Sequence, residues 1–163
     1  MDMSRQIKNI IAITVSLICI SLINVAGQNI EIEIRGMNAF TFILIIAVLL
    51  QVIFFIPSFL LKTEKYFDIV GSLTYIITIS IAYFSVENKT MIDSIIYFYV
   101  MVWASRLGIY LFRRVRNDGK DIRFEKAKRH FFWFLQYWMG QALWVSLTAV
   151  SYTHLTLPTT LQV

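Results

Sequence analysis

The sequence predicts an all-α, multi-pass transmembrane helical bundle of five spans with a cytoplasmic N-terminus, on three observations. Apolar residues make up 58% of the 163 residues and charged residues only 15%, against roughly 45–50% and 25% in soluble domains. The apolar residues gather into five runs of the length that crosses a hydrocarbon core, about 20 residues with a range of about 17–25. The basic residues gather between alternate runs. The length has room for one domain. A single cysteine, Cys19, rules out an internal disulfide, and two widely separated histidines exclude a histidine-based zinc site, so no metal is expected.

The first run, Ile10–Ala26, has Arg5 and Lys8 before it and Val25-Ala26-Gly27 at its end, as a secretory signal would. The four spans that follow favour an uncleaved signal-anchor. The second run, Ala39–Leu61, contains Pro57, which removes one backbone hydrogen bond and bends the helix, a device membrane helices tolerate. The third spans Ile69–Val86 and the fourth Met91–Phe112. The fifth, Phe131–Thr148, opens on His130-Phe-Phe-Trp-Phe134, expected to be an interfacial aromatic belt beside a solvated histidine. Gln136 and Gly140, one turn apart, predict a close interhelical contact, and the amides of Gln136 and Gln141 call for partners inside the bundle.

From about residue 149 the sequence changes character. Val150-Ser-Tyr-Thr-His-Leu-Thr-Leu-Pro-Thr159 reads as the translation of a transposase sequencing adapter, and it carries no helical periodicity. Residues 149–163 are therefore expected to be a non-native tail, and residues 1–148 the N-terminal part of a longer domain. A part of this kind is expected to be inactive by itself.

Loop charges set the orientation. With the N-terminus inside, the inner segments hold Arg5, Lys8, Lys62, Lys65, Arg113, Arg114, Arg116, Lys120, Arg123, Lys126, Lys128 and Arg129, and the outer ones only Arg35 and Lys89. Twelve against two satisfies the positive-inside rule and places the basic loop 113–130 in the cytoplasm. That loop is at the level of soluble cofactors and of anionic lipid headgroups, which it would attract by about 1 kcal/mol per basic residue. Asp118, Asp121 and Glu125 interrupt the cations, and Gly119 can supply a turn. Such a loop suits a folded turn with internal Asp–Arg pairs as well as a lipid anchor.

One arginine stands inside a span. Arginine at a bilayer centre costs about 2.5–3.5 kcal/mol on insertion scales, so Arg106 is a candidate functional residue. Trp103, Arg106, Tyr110, Arg113 and Arg114 recur at intervals of three and four and share one helical side, with Arg106 about 10 Å deeper than Arg113. It is expected to face the bundle or a wet cavity, paired with an acid, a lipid carbonyl or a phosphate, for which the planar guanidinium fork is suited. Asp68 opens the third span, where the helix dipole favours a carboxylate by about 0.3–1 kcal/mol. It is a candidate partner for Arg106 or a candidate catalytic carboxylate. No Gly-rich phosphate loop, Ser-His-Asp order or nucleic-acid module is present, and no nucleic-acid partner is expected.

The combination of Lys65-Tyr-Phe-Asp68-x-x-Gly71-Ser72, Trp103-x-x-Arg106-Leu107-x-x-Tyr110, Arg113-Arg114 and Gly119-x-Asp121-x-Arg123 resembles the DUF1295 family over about residues 62–141. This is a group of multi-pass membrane proteins related to the steroid 5-alpha-reductase C-terminal domain. The resemblance implies an all-helical membrane reductase that takes NADPH from the cytoplasm and acts on a lipid-like or steroid-like substrate. It implies that Arg106, Arg113, Arg114 and Arg123 belong to the cofactor's phosphate-binding region, that Asp121 orients one guanidinium and that Gly119 supplies the turn. Asp68 would be the catalytic acid that polarises an enone carbonyl. Trp103 departs from the tyrosine proton donor of the steroid enzymes, since an indole N–H is no acid. Two alternatives stay open: a membrane methyltransferase using S-adenosylmethionine, and a non-enzymatic membrane protein whose basic loop binds anionic lipid.

Overall fold

The computed structural model describes residues 3–28, 32–118 and 121–156, with side chains through Thr148 apart from those of Asp118 and Ile122. Five long helices dominate it: α1 (Met3–Ala26), α2 (Ala39–Leu60), α3 (Phe67–Ser85), α4 (Met91–Asp118) and α5 (Phe131–Thr156). The predicted all-α bundle is therefore present, and α1 to α4 are each long and apolar enough to cross a membrane. The fifth helix has the length, but Gln136, Gln141, Tyr137 and its tryptophans dilute its apolar character, so among the described residues the candidate spans are the first four helices. α5 lies against α1, α2 and α3. A helix so covered has less need of a lipid-grade surface. It continues unbroken to Thr156, past the boundary expected near residue 149, and residues 157–163 lie outside the described residues.

Short links turn the chain at each end. A hairpin of β1 (Glu33–Ile34) and β2 (Met37–Asn38) joins α1 to α2. Its two-residue turn puts Arg35 and Gly36 at φ 54° and 76°, the left-handed pair that matches strand twist in a tight hairpin. Asn38 then caps α2, its Oδ1 accepting from the amides of Phe40 and Thr41 at 2.9 and 3.3 Å. At the start of α4 a reciprocal cap forms: Asp93 accepts from Thr90 N and Oγ1 at 2.7 Å each, and the Asp93 amide donates back to Thr90 Oγ1. α4 runs six residues beyond the predicted end at Phe112, so Arg113, Arg114 and Arg116 sit on its last turns rather than in a loop. Cations there complement the negative helix end.

Two core layers hold the bundle. Ile43, Ala47, Tyr75, Ile79, Ala82, Ala104 and Val145 form one, and Phe55, Phe67, Val70, Phe124, Phe134, Trp138 and Met139 the other. The second layer corrects the expected aromatic belt. Phe131 and Phe132 are exposed, but Phe134 and Trp138 are wholly buried, with Trp138 edge-on to Phe67 at 5.3 Å. The fifth helix has aromatic residues on all sides near its start, so the inward ones become core.

Small residues set the helix spacing, at positions other than the expected one. Gly140 is exposed with open space beside it, and the predicted contact there is not made. Instead Gly71 of α3 lies under Gln141 of α5, where a β-carbon would stand 2.1 Å from Gln141 Nε2. Gly108 of α4 lies against Ser72 of α3, at 2.6 Å by the same measure. Inside the bundle the fully buried Gln51 donates to Thr74 Oγ1 at 3.0 Å. The α1 N-terminus reaches the α5 N-terminus, where the Arg5 guanidinium lies 4.9 Å from the Trp133 ring. The links at 61–66 and 121–130 are at this same end, so the described basic segments share one end of the bundle.

Candidate functional site

Where α3 begins and α4 ends, two carboxylates and two guanidinium groups meet. Asp121 starts the linker to α5 and grips Arg123 twice over: Arg123 Nε donates to both carboxylate oxygens at 3.0 Å and Nη2 to Oδ2 at 2.5 Å. The Arg123 amide donates to Asp121 Oδ1 at 2.9 Å. The i, i+2 spacing and the 3₁₀ turn Ile122–Phe124 fold the side chain back on its neighbour. The Arg123 side chain, about half exposed, also lies over the Phe124 ring at 5.1 Å.

Arg114 comes to the same place from α4, with Nη2 3.6 Å from Asp121 Oδ2 and 3.8 Å from Asp68 Oδ2. Asp68, in the first turn of α3, is also 3.7 Å from Arg123 Nη2. Its side chain is nearly buried, and both arginines remain accessible, at 40% for Arg114 and 52% for Arg123. The hydrogen bond from Arg123 holds the Asp121 carboxyl below the ordinary carboxylate range. The same bond raises Arg123 above its already high value. Both stay ionised at neutral pH, with Arg123 Nη1 left open by the Asp121 fork.

Beneath this cluster lies a pair the sequence reading missed. Glu64 is buried, accepts from Lys128 Nζ at 2.6 Å and accepts the Asp121 amide at 3.2 Å. It fastens the start of the linker and its second 3₁₀ turn to the α2–α3 link. Glu64 stands between Thr63 and Lys65 in a polar stretch, and nothing in that pattern marks it as inward-facing.

The predicted site residues divide into two groups. Asp68, Arg114, Asp121 and Arg123 meet, whereas Arg106 and Arg113 are exposed elsewhere on α4. Gly119 lies outside the described residues. The considered Asp68–Arg106 pair does not form. Ala104, Gly108 and Val115 mark the buried face of α4, with Ala104 in the core layer of Tyr75 and Ile79 and Gly108 against Ser72 of α3. Arg106 is two residues from both Ala104 and Gly108, about 200° around the helix, and Arg113 falls on the same outer stripe. Arg106 thus lines an open groove of about 250 Å³ with Trp103, Leu107 and Tyr110, rather than facing the bundle interior. Trp103 makes an edge contact with the buried Tyr75 ring at 5.5 Å.

Among the described residues no group of three or more histidine, cysteine, aspartate or glutamate side chains has metal-binding geometry. No curated protein and no solved structure matches the chain. The family described as protein of unknown function DUF1295 matches residues 54–163, a stretch holding both the charge cluster and the outer groove. With that match over more than half its length, a bundle of membrane-length helices and an Asp–Arg cluster at its basic end, the chain belongs to the DUF1295 family.

Proposed function

We propose that this chain carries the phosphate-gripping part of a membrane oxidoreductase that takes NADPH from the cytoplasm and reduces a lipid-like or steroid-like substrate. The observation that supports it is the guanidinium pair of Arg114 and Arg123, oriented by Asp121 and Asp68 yet 40% and 52% exposed. A guanidinium held by a carboxylate on one edge loses less freedom when its other edge meets a phosphate. NADPH, when bound, supplies a hydride; the chain's own residues hold its phosphates. Asp68 enters as a positioning residue for the two arginines. S-adenosylmethionine carries no phosphate, so a prepared pair of arginines favours NADPH over that cofactor.

Titration of the detergent-solubilised protein with NADPH tests the reading. Arg114→Ala and Arg123→Ala should each weaken binding about tenfold or more, equivalent to about 1.4 kcal/mol. Arg106→Ala should change it by less than about threefold, since Arg106 is on another face. Equal affinity in the wild type and the Arg123 variant overturns the assignment. If Asp68→Asn lowers thermal stability and leaves NADPH affinity intact, Asp68 is structural only.

A further inference from the structure

One residue reaches both acids of the charge cluster. Glu64 stands in the link between α2 and α3, with its side chain 3% exposed. Its backbone carbonyl accepts the amide of Phe67 at 3.0 Å, the bond that opens α3 one residue before Asp68. Its carboxylate reaches across to the linker that follows α4. There Oε1 accepts from the Asp121 amide at 3.2 Å and Oε2 from Lys128 Nζ at 2.6 Å. The two oxygens thus hold both ends of the segment 121–128, with the 3₁₀ turn Ile122–Phe124 between them.

The bond to Asp121 controls direction. The Asp121 carbonyl accepts the amide of Phe124 at 3.1 Å, and the buried Phe124 ring lies against Phe67 and Tyr137 at 4.8 and 4.9 Å. The core therefore fixes the peptide after Asp121, and Glu64 Oε1 fixes the peptide before it. With both planes set, the two backbone dihedrals of Asp121 are set, and so is the line along which its carboxylate leaves the chain. That carboxylate is the one Arg123 grips through Nε and Nη2 and Arg114 approaches at 3.6 Å. Without an acceptor for its amide, Asp121 can turn, and the Arg123 guanidinium turns with it. Lys128 has a different part. A buried carboxylate requires a counter-charge, and the ammonium supplies it at Oε2, the oxygen that Asp121 does not use.

We infer that Glu64 is a positioning residue of the phosphate-gripping site: through the Asp121 amide it sets the direction in which the Arg123 guanidinium is presented, while Lys128 neutralises its charge in the interior. The inference rests on the NADPH reading of that site and adds to it a residue that touches no phosphate. An arginine already directed loses less freedom on binding than one that must first be turned. Glu64 therefore acts on the affinity for a phosphate without adding a contact to it. The Glu64 backbone carbonyl serves α3 and Asp68 whatever side chain stands at 64, so substitution there isolates the Asp121 arm.

Two double variants separate orientation from charge. Glu64→Gln with Lys128→Met keeps an acceptor for the Asp121 amide, and Glu64→Leu with Lys128→Met removes it. Both lack the buried charges, an exchange that is often neutral for stability. The full chain in detergent micelles is titrated with NADPH, and exchange of the Arg123 Nε–H is followed without the cofactor. The Glu64→Gln double should bind NADPH within about twofold of wild type, and the Glu64→Leu double about fivefold to tenfold more weakly, the effect of one hydrogen bond. Arg123 Nε–H should exchange at the wild-type rate in the first and about fivefold faster in the second. Far-UV circular dichroism establishes that both are folded; Glu64→Met, closer in length, takes the place of Glu64→Leu where that double is not. Equal NADPH affinity in the two folded doubles overturns the inference, because Glu64 and Lys128 would then only clasp the linker. Equal Arg123 exchange in the two overturns it as well, with or without a cofactor. Failure of the underlying NADPH reading has a separate signature: the wild type shows no saturable NADPH binding while the two doubles still differ in Arg123 exchange.

Discussion

Asp121 and Arg123 form the tightest ionic contact of the charge cluster, and their pH dependence follows from the direction of its effect. The Arg123 hydrogen bond depresses the Asp121 carboxyl. A depressed carboxyl contributes stability that is present above its unfolded value, about 3.9, and is lost as pH falls through the lower folded value. The linker turn should therefore stay ordered from neutrality to about pH 4 and loosen only below it. The Arg123 Nε–H resonance in detergent micelles checks this: it should be protected from exchange at pH 5 and lose protection below pH 4, and Asp121→Asn should remove that step. The family resemblance implied Asp121 as the acid that orients a guanidinium, and internal Asp–Arg pairing was legible from the acids interleaved with the cations. Which other arginine joins it was not, because Arg106 and Arg114 both recur at helical intervals and only the packed face of α4 distinguishes them.

At the scale of elements, the α3–α4 contact rests on Gly108 against Ser72. Gly108→Ala should destabilise the bundle by about 1–3 kcal/mol, the usual cost of overpacking. Removing the opposing side chain relieves the clash, so Gly108→Ala with Ser72→Gly should melt above the sum expected from the two single variants. Additive melting shifts would show that the two residues do not press on each other.

The linker between α4 and α5 depends on Glu64 in a different way. A buried charge left without its partner costs about 3–5 kcal/mol, so Lys128→Ala should be more disruptive than a surface change at Lys126. Limited trypsin digestion reads this: cleavage after Arg123 and Lys126 should accelerate about tenfold or more in Lys128→Ala and Glu64→Ala. The five apolar runs were legible because their length alone indicates helix. The hairpin at 33–38 was not, since two-residue strands are too short to show alternation. The Gly71–Gln141 contact was displaced from Gly140 because one glycine on a helix can face either lipid or a neighbour.

For the molecule as a whole, the shared location of the basic segments gives orientation a direct test. Replacing Cys19 by alanine leaves a cysteine-free background. In intact spheroplasts a membrane-impermeant maleimide should label Asn88→Cys, in the link between α3 and α4, and label Asn117→Cys at the end of α4 only after permeabilisation. The reverse pattern would place the N-terminus and the charge cluster outside and remove access to cytosolic NADPH.

Composition and run length by themselves determined that this chain is an all-helical membrane bundle, because crossing hydrocarbon demands long apolar helices whatever their packing. Its ordered Asp, Gly and Arg motifs also determined its family. Tertiary structure decided what those motifs are next to. It joined Asp68 to Arg114 and Arg123, brought Glu64 under the linker and turned Phe134 and Trp138 into core. It also turned Arg106 away from every acid among the described residues. Spacing places residues on a helix to within a turn, but which side of that helix is covered depends on its neighbours, and that information lies in contacts between segments distant in the chain.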